Sequence, residues 1–139
     1  MLIAIALLGT IVAATLTGLG VTVNGTALER DRATAQMWLQ SSIEALKEAP
    51  AQDCNDDGQT EPKVRAAYEE VVRAAVPPPP GWEKAQLRIV PPVRYWDPSL
   101  RFQDQCYDDY GYELQLIELE VSSPDGVVIE RVHAVIGGG

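Results

Sequence analysis

No charged side chain occurs before Glu29, and no proline before Pro50. The run Met1 to Val23 (MLIAIALLGTIVAATLTGLGVTV) would span about 35 Å as a helix, against roughly 30 Å of bilayer hydrocarbon. A secretory signal peptide carries a basic start, a shorter apolar stretch and a small-residue cleavage site. Here nothing basic precedes the run, and the first cation is Arg30. The run is therefore expected to be a retained anchor, with the remainder of the chain on one side of a membrane.

The amphipathic period follows at once. Within Leu28–Ala49 (LERDRATAQMWLQSSIEALKEA), Leu28, Ala35, Leu39, Ser42 or Ile43, and Leu46 fall on one helical stripe. Glu29, Arg30, Arg32, Gln36, Gln40, Glu44 and Lys47 lie mostly off it, which is the pattern of a helix packed along one side. The simplest expectation is one helix of about 48 residues, near 70 Å long. Residues 1–27 form its membrane half and 28–50 its stalk, ahead of an extracytoplasmic head over 51–139. Gly9, Gly18, Gly20 and Gly25, with Thr10, Thr15, Thr17 and Thr22, weaken the membrane half locally and supply small residues for close helix–helix contact.

The segment LIAIALLGTIVAA at Leu2–Ala14 resembles the N-terminal segment of type IV pilins and of type II secretion pseudopilins. In that family a short basic leader ends in glycine, followed by Phe-Thr-Leu-Ile-Glu and then an apolar stretch of this kind. Met1 aligns just after that glutamate, so leader, cleavage glycine, methylated phenylalanine and glutamate have no counterpart here. The expected explanation is a start assigned at an internal methionine, or a chain cut at that point. The resemblance covers Met1 to Ala49. It implies a pilin-like α+β fold, a long N-terminal helix on a small antiparallel sheet. The implied role is that of a filament subunit, faintly a minor one, held in the bacterial inner membrane by a single pass before assembly. Leu2, Ile5, Leu8, Gly9, Val12 and Leu16 are then the helix-packing positions. Implied partners are other pilin or pseudopilin subunits, an inner-membrane assembly platform and a prepilin peptidase. A plain single-pass anchor presenting a small ligand- or partner-binding domain is the other reading of the same run.

Charge narrows the function classes. Of the net −9, residues 49–139 carry sixteen acidic and eight basic side chains. A nucleic-acid surface needs basic clusters to neutralise phosphate, so direct DNA or RNA binding is not expected. A head of about 90 residues is marginal alone and gains from the stalk as a core partner.

Cys54 and Cys106 both lie in polar, turn-rich stretches. In an exported domain a disulfide between them is the default, worth about 4 kcal/mol for a loop of this size. Two unrelated thiols are the alternative. With one distant histidine they do not make a tetrahedral metal set.

Glu61–Ala75 (EPKVRAAYEEVVRAA) opens with proline in its first turn and spaces Val64, Ala67 or Tyr68, Val71 and Ala75 helically. Pro77–Pro80 stops that helix as a stiff extended connector. Ala85–Val90 (AQLRIV) alternates with Leu87 and Ile89 on one face, and Pro91-Pro92 end the strand or confine it to an edge. In Tyr112–Val121 (YELQLIELEV), Leu114 and Leu116 share one phase while Ile117, Leu119 and Val121 share the other, a slip that suggests a bulge. Ser122–Gly126 is a turn, and Val127–Ile136 (VVIERVHAVI) returns as an antiparallel strand. Three or four strands laid on the stalk helix make an α+β layer arrangement.

Candidate chemistry is sparse. Asp53, Asn55 and Asp57 match the first half of an EF-hand loop, with Gly58 at its turn. Val64 stands where the bidentate glutamate belongs, and Glu61 falls at the ninth position. Two readings stand side by side: a Ca²⁺ site on Asp53, Asn55, Asp57 and Glu61, helped by Asp104, Asp108 and Asp109, or a solvated turn. No other cofactor is expected. Tyr107, Tyr110 and Tyr112 beside Asp108, Asp109 and Glu113 suit either a basic partner or glycan, or a half-buried loop at the sheet margin. Trp38, Trp82, Trp96 and Phe102 read as packing anchors. His133 lacks a nearby nucleophile and reads as a strand-face residue. No phosphate loop, nucleophile elbow or HExxH pair occurs, so no catalytic residue is assigned and no enzyme is expected.

Overall fold

The computed structural model describes all residues except 1, 53–60, 98, 100, 105–113 and 138–139, and for 2–24 it describes the backbone alone. Its elements are α1 (Leu2–Glu48), α2 (Glu61–Ala75), a 3₁₀ turn (Lys84–Gln86), β1 (Leu87–Asp97), β2 (Arg101–Gln103), β3 (Leu114–Ser122) and β4 (Ile129–Gly137). The four strands form one antiparallel sheet in the order β2-β1-β3-β4. The architecture is α+β.

α1 runs unbroken for 47 residues. Its stalk buries Ala35, Trp38, Leu39, Ser42 and Leu46, with Leu28 and Ile43 partly buried beside them, so the stripe lies where its period places it. The Ser42 hydroxyl meets its buried polarity locally, donating to the Trp38 carbonyl at 2.7 Å. Trp38 packs edge-on against Trp82, with ring centroids 6.1 Å apart. Among the described residues no helix is long and apolar enough to cross a membrane; the side chains of 2–24 lie outside that description.

α2 has the bounds expected of it, but its inward ridge differs. Val64, Tyr68 and Val72 are buried, whereas Val71 is half-buried and Ala75 exposed. A strict i, i+4 ridge is what a helix lying flat along one strand presents. α1 faces β3 and β4, α2 faces β1, and both meet the same side of the sheet in a single core. Beyond α2, Trp82 N–H donates to the Pro79 carbonyl at 2.9 Å, across a turn that needs Gly81 at φ +81°.

Two strand expectations are corrected. Of the two readings of Pro91-Pro92, the strand end is corrected, since β1 continues to Asp97, while the prolines do keep to an unpaired edge. The prolines sit where β1 has no strand on its outer side, and the pairing skips them: Val90 faces Glu118 and Arg94 faces Leu116. Four steps along β1 thus match two along β3, and an even insertion leaves the side-chain phase intact. Leu87, Ile89, Val93 and Tyr95 all remain buried. The bulge expected in β3 is absent; its register with β4 is continuous from Leu114 to Ser122. Gln115, Ile117, Leu119 and Val121 point inward, and Leu114 and Leu116 lie on the outer face. The apparent slip arose because a polar residue, Gln115, occupies a core position.

Candidate functional site

Three regions carry features beyond packing. The first is a buried polar ring at the α1 exit. Gln52 N–H donates to the Tyr68 hydroxyl at 2.8 Å, Tyr68 donates to Gln115 Oε1 at 2.5 Å, and Gln115 Nε2 donates to the Gln52 carbonyl at 2.7 Å. This closed set ties the segment after α1 to α2 and β3. Burial raises the Tyr68 phenol above its ordinary value, partly offset by the Gln52 N–H. Nearby Tyr95 is pushed up to about 12 by burial, with Glu61 and Tyr68 adding to it. Its hydroxyl is buried without a hydrogen-bond partner among the described residues.

The second is the outer face of the sheet. Glu120 is 4% exposed there, between Arg88 on β1 and Arg131 on β4. Arg88 donates through Nε at 2.7 Å to one carboxylate oxygen, and Arg131 through Nε at 2.6 Å to the other. Burial pushes the carboxyl upward, yet the two guanidinium hydrogen bonds and charges outweigh it and hold Glu120 below its ordinary value. His133 continues the ladder, with Nε2 3.4 Å from Glu118. At the far end of this face the rows turn apolar, with Trp96 against Phe102, then Leu114, Leu116 and Val135.

The third is the flank of β1 that carries no strand before β2 begins. Two carboxylates of α2 stand in for the missing neighbour. Glu61 accepts from Val93 N–H at 3.2 Å, and Glu69 from Ile89 N–H at 3.3 Å. The match is geometric: eight helical residues rise about 12 Å, and four strand residues about 13 Å. Arg65 lies between the two carboxylates, 3.4 and 3.8 Å away.

The positions singled out from sequence fare unevenly. Glu61, the ninth position of the calcium-like loop, is turned to Val93 and Arg65; Asp53, Asn55, Asp57, Asp108 and Asp109 lie outside the described residues. Asp104 is exposed and 3.4 Å from Arg94. Among the described residues no group of three or more His, Cys, Asp or Glu could hold a metal ion. Cys54 and Cys106, Tyr107, Tyr110, Tyr112 and Glu113 also lie outside the described residues. Leu2, Ile5, Leu8, Gly9, Val12 and Leu16 belong to the α1 backbone, and their side chains are not described. Sequence reasoning missed both the Tyr68–Gln115 ring and the Glu120 ladder. The ladder did leave a signal in the alternating charges of Glu118-x-Glu120 and Arg131-x-His133, on adjacent strands joined by one turn. Compared with known protein families, characterised proteins and solved structures, the chain finds no match.

Proposed function

We propose that the chain is a pilin-like structural subunit, a minor one, of a type IV pilus or the related type II secretion pseudopilus. One observation carries the reading: α1 is continuous from Leu2 to Glu48, and the part that packs on the head begins at Leu28. The charge-free stretch before it is what a bundle of neighbouring helices, or a bilayer, would cover. In this reading the helix holds the subunit in the bacterial inner membrane until assembly, with the head outside the cytoplasm. Helices then pack through Leu2, Ile5, Leu8, Gly9, Val12 and Leu16, and the acidic heads clothe the filament. Other pilins, an assembly platform and a prepilin peptidase are its partners, and it performs no catalysis.

Photo-cross-linking from a benzoylphenylalanine at position 14, in cells followed by shearing, tests this. Adducts between copies or with another pilin, recovered in the sheared or filament fraction, are the expected result. A chain found only as a membrane-held monomer selects the other reading, an anchored partner-binding domain that forms no filament. Freely soluble protein lacking the helix overturns both.

A further inference from the structure

The two sides of the sheet are finished differently. On one side, Glu61 and Glu69 of α2 occupy outward N–H groups of β1, and β2 adds only three residues. On the other, β4 presents nine residues whose outer backbone groups have no partner among the described residues. An open edge of that length is a template for another strand, and proteins ordinarily blunt such edges. Backbone chemistry therefore fixes what would cover it: an extended segment.

α1 decides which segment. Arg32 of α1 lies 3.9 Å from Glu130 at the start of β4. Past the other end of α1, the Gln52 carbonyl is held by Gln115, which is paired with Ile136 near the end of β4. α1 and β4 thus run in the same direction. Two copies joined β4 to β4 about a two-fold axis would point their N-terminal helices in opposite directions. Copies held by α1 in one membrane or one filament point them the same way. With all copies co-directed, the strand that a neighbour turns toward β4 is β2, and the alternation of this sheet makes that pairing antiparallel.

The side chains fit such a join. On the outer face β4 offers His133 and then Val135, which is 47% exposed. β2 offers Phe102 and, just beyond it, Asp104, whose side chain is 68% exposed. Antiparallel pairing with Val135 opposite Phe102 brings His133 opposite Asp104, matching apolar with apolar and base with acid. We propose that copies of this chain add head to tail, β4 of one against β2 of the next. Because sheets twist, this heterologous contact winds into an open helical array and does not close into a dimer. The inference rests on the filament reading above and specifies how the heads meet.

The test is disulfide trapping on the full chain in detergent micelles and in sheared fractions. Asp104→Cys and His133→Cys, both at exposed positions, are prepared separately and mixed, with the unvaried chain as the background from Cys54 and Cys106. A mixed dimer at least tenfold above either variant alone is the expected result. Equal trapping of His133→Cys with itself would show two-fold pairing and overturn the proposal. No trapping in any mixture, while position 14 still cross-links between copies, overturns the head contact and leaves the filament reading standing. Loss of the position 14 adducts as well is the failure of that reading itself.

Discussion

Two buried tyrosines show how little side-chain identity says without its hydrogen bonds. Tyr68 donates to Gln115 and accepts from Gln52, so Tyr68→Phe strands a buried amide oxygen and a backbone N–H. That should cost about 2 kcal/mol in urea unfolding. Tyr95 has no such partner among the described residues, and Tyr95→Phe should change stability by less than about 0.5 kcal/mol. Burial, then Glu61 and Tyr68, hold the Tyr95 phenol near 12. The unfolded chain ionises it from about 10, so stability is complete below that pH and drains away as pH climbs through the folded value. Tyr95→Phe should remove that alkaline component. Glu120 works in the opposite direction. Its folded value is depressed, so its contribution is complete above the ordinary 4.5 and is lost as pH falls through the folded value. Arg88 and Arg131 are more than half exposed, which limits the loss on Glu120→Gln to about 1–2 kcal/mol at pH 7. Unfolding free energies for the variant and the parent chain should converge only once pH has fallen below the depressed folded value of Glu120, where both carry a neutral side chain.

At the scale of elements, what periodicity could reveal was revealed. The stalk stripe of Leu28, Ala35, Leu39 and Leu46 and the bounds of α2 follow from helical spacing, which is a property of adjacent residues. A direct consequence is testable. Leu46 is fully buried and Met37, on the opposite side of the same helix, is 67% exposed. Leu46→Ala should cost about 3 kcal/mol and Met37→Ala less than about 0.5, measured by chemical denaturation. Periodicity misled where polarity and burial part company. Gln115 faces inward because Tyr68 and Gln52 satisfy it, partners 47 and 63 residues away that no local window contains. Pro91-Pro92 read as a strand end or an edge because a proline cannot donate to a ladder. β1 continues past them because α2, and not a strand, flanks it there. The Glu120 ladder is similarly a property of register, Arg88 and Arg131 meeting one carboxylate only once three strands are aligned.

For the whole molecule, the stalk is part of the head's interior. Sheet, α2 and stalk share one core, in which Ala35, Trp38, Leu39 and Leu46 come from α1 and close over Ile117, Leu119, Ile136 and Tyr68. The net charge of −9 adds self-repulsion that this core must overcome. A domain of about 90 residues has little stability to spare, and a Leu or Trp removed from a core costs several kcal/mol each. Two shortened chains separate the contributions. One beginning at Gly25 keeps every described stalk residue that packs on the sheet and should unfold cooperatively, with a near-UV signal from the Trp38–Trp82 pair. One beginning at Ala49 lacks the whole stalk, exposes the inner faces of β3 and β4, and should lose both the cooperative transition and that signal. Retention of a sharp transition by the second chain would show that the stalk only rests on the head. In that case, pulling the helix into a membrane or filament would leave the head unaffected, and the two halves of α1 would act independently. Loss of it means that any partner gripping the apolar half of α1 also pulls on the core of the head, because the same unbroken helix runs through both.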